Sequence, residues 1–309
     1  MFRKRFQTIP VPKRNLFWLL LVALGLSGMA KPAFGQAFLP HTPSLDPARL
    51  DEIGELLIEE ASQWARFQQF DQALPRARLA TQLQPANADA WAILGSLYLQ
   101  ADQVDASLTA LEKARTLAPE NAKILFALGS AYFQAKNYDR AITELQAGLQ
   151  LEPDTPGALF DLGNTYYLMG DPQKAIDTYQ KAFDGDAEFW PAVNNMGLVR
   201  YEMGDVEEAI RLWEKAIEIE AAPEPQLALA IALYVRGQQD RGLALGETAL
   251  QLDSRYAQID FLKANLWGEK LLADAATFIQ IPRIQEAIAQ AAQQPPPIQI
   301  EFEEPEGER

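Results

Sequence analysis

One interval, 34 residues, constrains this chain more than any other feature of it. Trp91, Leu94-Gly95, Tyr98, Leu111, Ala114 and Pro119 set out a pattern. It returns as Leu125, Leu128-Gly129, Tyr132, Ala141, Leu145 and Pro153, and again as Leu159, Leu162-Gly163, Tyr166, Ala175, Tyr179 and Ala182. Within each copy the apolar residues fall at helical spacing in two short runs, and the proline stops the second run. Helices this short leave an apolar face uncovered unless a neighbour packs on them. A sequence that repeats itself at this interval therefore predicts a stack of helix pairs.

The frame divides the chain. Asp46-Pro47 reads as a cap followed by a proline that needs no N–H partner, so a helix is expected from Pro47 to about Phe67. Residues 54–87 make a first, degenerate repeat with Ala61, Trp64, Ala73, Ala77, Ala80 and Pro85. Repeats follow at 88–121, 122–155, 156–189 and 190–222, the last of these one residue short. Thr155-Pro156 and Asp171-Pro172 repeat the cap-plus-proline start. A sixth repeat at 223–256 keeps Ala230, Gly237, Gly242, Gly246 and Ala249 but loses the aromatic signature. The glycines Gly95, Gly129, Gly163 and Gly197 are expected where the two helices of a pair touch. Ala141, Ala175 and Ala209 should face them, with Leu111, Leu145, Tyr179 and Trp213 beside the contact. Beyond Tyr256 one helix is expected through Phe261, Leu262, Leu266 and Leu271-Leu272, and a second after Pro282 with Ile284, Ile288 and Ala291. Both helices, within 257–292, are read as a cap on the last repeat. Residues 293–309, with three consecutive prolines and five glutamates, read as a disordered acidic tail.

These residues resemble the tetratricopeptide repeat (TPR) family, closely in repeats two to five and loosely in one and six. The resemblance covers roughly residues 54 to 255 and implies an all-α, right-handed solenoid whose first helices line a concave groove that takes partner peptides. A second stripe runs along those first helices: Phe126, Ser130 and Phe133, then Phe160, Asn164 and Tyr167, then Asn194, Leu198 and Tyr201, with Tyr234 continuing it. A helix apolar on more than one face is either buried twice or offering a surface. One alternative packs these rings between neighbouring helices. The other makes them the wall of a groove that holds an extended or helical protein segment, with the amides bonding its backbone. Some members of the family clamp a carboxy-terminal carboxylate with Lys, Asn and Arg on these faces. Here those positions hold Ile58, Ala92, Ser96, Ala127 and Asp161, with Lys123 the only cation, so that clamp is absent.

Catalytic chemistry has little to work with. The chain has no cysteine and one histidine, His41, set among Pro40, Pro43 and Ser44. Disulfides, thiolate nucleophiles and Cys-ligated zinc are excluded, and a lone His lacks partners for a metal site or a base–nucleophile pair. No phosphate-cradling glycine loop and no nucleophile elbow occurs. Asp184-Gly185-Asp186 lacks the further oxygen ligands of a calcium loop and reads as a turn. No cofactor, metal or small-molecule substrate is expected. The net charge of −15 repels phosphate backbones, so nucleic acid is not an expected partner either.

The basic residues are unevenly placed. Arg3, Lys4, Arg5, Lys13, Arg14 and Lys31 lie in the first 35 residues, which contain no Asp or Glu. The uncharged run Asn15 to Ala30 is apolar but shorter than the roughly 20 residues that cross a bilayer. Small residues follow at Ala33 and Gly35. This order is that of a secretory signal peptide at 1–35, cleaved after Gly35 or Ala37, with a proline-rich tether at 36–46. The competing reading is an uncleaved anchor through residues 15–30, since helix tilt or bilayer thinning can rescue a short span. Cleavage would take the net charge from −15 to −21. With no cysteine the chain is not a lipoprotein. The expectation is an exported, non-catalytic scaffold or assembly factor of the periplasm or thylakoid lumen, with a protein partner and a place in membrane-complex assembly or envelope biogenesis. The alternative is an anchored structural component that recruits partners at the bilayer.

Overall fold

The computed structural model describes residues 46–292, which form helices and short turns; no strand occurs among the described residues. The expected leader, most of the tether and the acidic tail lie outside the described residues. Six helix pairs come first: α1 (Pro47–Arg66) with α2 (Phe70–Leu83), α3 (Ala88–Gln100) with α4 (Val104–Leu117), and α5 (Ala122–Gln134) with α6 (Tyr138–Leu151). Then come α7 (Pro156–Leu168) with α8 (Pro172–Gly185), α9 (Trp190–Glu202) with α10 (Val206–Ile219), and α11 (Pro223–Val235) with α12 (Gln239–Leu252). From the second pair on, every first helix has 13 residues and every second helix 14.

The pairs are cut to this length by their ends. Each first helix closes on a left-handed residue: Gln68, Asp102, Lys136, Gly170, Gly204 and Gly237 all have positive φ. The N–H of the next residue then reaches back to a carbonyl five positions earlier, as in Gln103 to Tyr98 (2.8 Å) and Asn137 to Tyr132 (2.8 Å). That bond satisfies carbonyls the helix end would leave open. The second helix starts at once, capped in three pairs by Asn137, Asp171 and Asp205, whose side chains accept from the N–H of Arg140, Lys174 and Glu208. Thr155 does not cap α7. Its hydroxyl donates to the Glu152 carbonyl instead (3.2 Å).

The glycine contact differs from the small-on-small arrangement expected. A Cβ placed on Gly95, Gly129, Gly163 or Gly197 would lie 2.5 Å from the side chain of Leu111, Leu145, Tyr179 or Trp213. The large residue on the second helix thus lies over the glycine itself rather than beside it. All four large residues are fully buried. The glycine is the socket and the large side chain is the plug.

The carboxy-terminal region also departs from the expectation. A 3-10 turn (Ser254–Ala257) leads into α13 (Ile259–Ala264), and the single helix expected through Leu271-Leu272 is broken in two. Leu266 takes a positive φ, the Trp267 N–H closes onto Leu262, and α14 (Glu269–Ile279) then starts a new direction. The last helix, α15 (Pro282–Ala291), packs on α12 much as α11 packs on α10, so it covers the final repeat as a cap should. Helix α14 packs instead on α9 and α11.

Candidate protein-binding groove

The inner face of the array follows from which helices touch. Each first helix touches the next first helix, from α1–α3 through α9–α11. A second helix, up to α10, packs on its own partner and on the first helix of the next pair. The row whose members meet directly is the shorter row, so the first helices line the inside of the curve.

The aromatic stripe divides along this face. Phe126 lies directly on Gly148 of α6 and packs with Leu145, Ala158 and Leu162. Phe160 stacks against Tyr179 (ring centroids 5.7 Å apart) and Phe189 (5.6 Å). Both rings therefore fill the seam between successive pairs, and the packing alternative applies to them. Phe133 turns toward Tyr138 at the end of its own pair (5.8 Å). The Ser130 hydroxyl donates to Asp161 (2.6 Å), whose carboxyl is pushed up by desolvation and held back by that bond. Asn164 is buried, and its Oδ1 accepts from the Tyr179 hydroxyl (2.7 Å) and from Asn195 Nδ2 (2.9 Å). An amide expected to bond a partner's backbone is thus committed inside the fold. Tyr167 is half-buried, its phenol pushed up to about 12 by burial and by the nearby Glu202 charge.

On α9 and α11 the stripe is covered by the chain itself. Leu198 and Tyr201 are 1% and 0% exposed, in one core with Leu271, Ala275 and Phe278 of α14. Tyr201 donates its hydroxyl to Asp274 (2.6 Å), and burial together with that carboxylate raises its phenol far above the ordinary value. Tyr234 meets Phe278 edge to face (5.4 Å). The N–H groups of Lys270 and Leu271 at the start of α14 donate to the Glu202 carboxylate (3.1 and 2.9 Å), where a helix amino terminus favours negative charge. Asn194 is buried beside Glu224. The expected binding wall of repeats five and six is therefore the seat of α14. Nothing periodic announces this, because Tyr201 and Asp274 stand 73 residues apart.

The open part of the inner face lies over α1, α3 and α5. A groove of about 970 Å³ opens there, floored by Ile58, Ala65, Ile93, Leu97, Ile124 and Ala127. Arg66, Asp89, Gln100 and Lys123 stand around it. It exists because the inner positions carry small side chains, Ala92, Ser96 and Ala127, where α7 carries Asp161 and Asn164 and α9 carries Leu198. Those small residues were the legible signal; the aromatic residues drew attention away from them. Ile93 and Ala65 carried none. Among the described residues no group of three His, Cys, Asp or Glu is placed to hold a metal ion, and no helix is long and apolar enough to cross a membrane.

Three family models match the sequence: a TPR repeat model over residues 129–170, and two tetratricopeptide repeat models over 65–122 with 194–258 and over 157–184. The chain is a tetratricopeptide repeat protein. Within residues 65–258 only 123–128 and 185–193 fall outside a match, so the family matches fall on the helix pairs from α2 onward. No curated protein matches the chain. Among solved structures, PilF of Pseudomonas aeruginosa superposes with a TM-score of 0.59 at 19% identity, covering 71% of this chain and 99% of its own. That likeness is one of fold. MamA of Desulfovibrio magneticus RS-1 aligns at 20% identity with a TM-score of 0.49, over 55% of this chain and 96% of its own. YrrB, described as a TPR protein with an unusual peptide-binding site, aligns at 22% with a TM-score of 0.46, over 59% and 90%. No enzyme family is among the matches.

Proposed function

We propose that this TPR protein is a non-catalytic scaffold that holds a segment of a partner protein against the inner face of its first three repeats. The supporting observation is the groove over α1, α3 and α5, which joins an apolar floor to a rim of charged and amide side chains. Binding surfaces for protein segments pair a buried apolar centre with a polar rim in this way. We further propose that the protein is exported, to a periplasm or thylakoid lumen, and serves the assembly of a membrane complex or the envelope. The order of basic, apolar and small residues in 1–35 supports this reading, and the alternative leaves residues 15–30 as an uncleaved anchor.

Crosslinked pull-down from the native envelope tests both parts. Ala92→Arg/Ser96→Arg fills the groove from exposed or half-exposed positions and should cut partner recovery at least tenfold with helicity unchanged. Equal recovery from that variant would remove the groove from the account. The intact mass of the recovered chain should begin near Gln36, whereas a retained Met1 would replace export by anchoring.

A further inference from the structure

The segment that fills the inner face of repeats five and six meets the array at a buried carboxyl, besides its bonds to Tyr201 and Glu202. Glu224, in the first turn of α11, is 8% exposed. Its Oε1 accepts from the Trp267 indole N–H (2.9 Å), and Trp267, 3% exposed, sits in the turn that launches α14. The Asn194 side chain of α9 bonds the same carboxyl. Tyr256, from the 3-10 turn, lies close enough for Glu224 to raise its phenol further, after burial, and the Asp253–Arg255 pair stands beside that ring. Three elements of the array and of the closing segment thus meet on one carboxyl. No cation is among the groups acting on it, so the bonds from Trp267 and Asn194 offset only part of the cost of burying its charge.

A buried acceptor beside it points the same way. Asn194 Oδ1 has no hydrogen-bond partner among the described residues. A protonated carboxyl supplies a donor that Asn194 lacks, whereas an ionised one adds a further acceptor to a place already short of donors.

We propose that Glu224 is a protonation-controlled latch: the segment from Tyr256 through α14 stays seated while this carboxyl holds its proton, and lifts more readily once the proton is lost. Lifting would uncover Leu198, Tyr201 and Tyr234, the part of the aromatic stripe now hidden, and this holds whether or not the groove of repeats one to three binds a partner.

The direction follows from linkage. Burial pushes the Glu224 carboxyl up from its ordinary 4.5 to about 7. A carboxyl raised in the closed state favours closure fully below its open-state value, and that preference fades as the pH climbs from there to the closed-state value. Between pH 5 and pH 8.5 this shift implies an opening equilibrium that rises by about tenfold or more.

Amide hydrogen exchange on the intact chain at these two pH values, expressed as protection factors, reads the opening directly. Protection of residues 269–279 should fall by about tenfold or more relative to α5 in the wild type, by the same linkage. Glu224→Gln keeps an acceptor for Trp267 but cannot ionise, and should flatten that change to about threefold or less. Trp267→Phe should lower α14 protection at both pH values. The latch is overturned if α5 loses protection in step with α14, if Glu224→Gln keeps the wild-type pH response, or if Trp267→Phe leaves α14 as protected as before.

Discussion

A single backbone position sets the reach of every helix pair. Gln68, Asp102, Lys136, Gly170, Gly204 and Gly237 occupy it, each in the left-handed region. Glycine adopts that conformation freely, whereas an L side chain there costs on the order of 1 kcal/mol. Lys136 is exposed, and among the described residues its side chain makes no bond that would offset the strain. Lys136→Gly should therefore stabilise the protein by about 0.5 kcal/mol, the relief exceeding the extra freedom the glycine gives the unfolded chain. The urea midpoint should rise; a lower midpoint would mean that the side chain contributes something the contacts do not reveal. Half of these positions can be recognised from composition, because they are glycines. The other half, Gln68, Asp102 and Lys136, are visible only through the interval of 34 that relates them; between Gly204 and Gly237 the step is 33, which marks the shortened fifth repeat.

Helix pairs were readable because their decisive contact is local. A glycine and the large residue 16 positions later meet across one turn, so spacing alone places them. The plug varies, and so should the tolerance of the socket. At Gly163 the plug is Tyr179, fully buried and fastened through its hydroxyl to Asn164, so the ring has nowhere to retreat. Gly163→Val should cost about 1–3 kcal/mol by overpacking. Gly95→Val, facing the unbonded Leu111, should cost less. Equal urea midpoints for the two variants would contradict this account of the socket. The second stripe was not readable for the opposite reason. Phe126 and Phe160 stand 34 apart and look alike in sequence, yet what they touch is decided by Gly148 on one helix and by Tyr179 on another with Phe189 in the turn before α9. Period identifies a face of a helix; it does not say whether that face meets a neighbour, a partner or water.

Across the whole molecule, burial is graded along the chain. Every residue of α11 from Glu224 to Leu233 is buried, enclosed by α10, α12 and α14. At the other end, α1 has no helix pair before it among the described residues and leaves Ile53 and Leu56 at 38% and 54% exposure. In a linear stack each pair is held by its neighbours, so opening is cheapest where a neighbour is missing. Amide exchange at fixed pH should be slowest in α11 and fastest in α1, with the repeats between in graded order. Uniform exchange along the chain would mean that the array unfolds as one cooperative block instead. The candidate site was only half legible at this scale, because the sequence pattern describes repeats and the closure at the carboxy-terminal end is made by residues that belong to none.

Helix α15 sits on α12 where the opening helix of a seventh pair would have to lie, and α14 lies across α9 and α11. An added pair after Leu252 would therefore have to displace both helices and lay bare the core they complete, so the array is sealed against extension at this end.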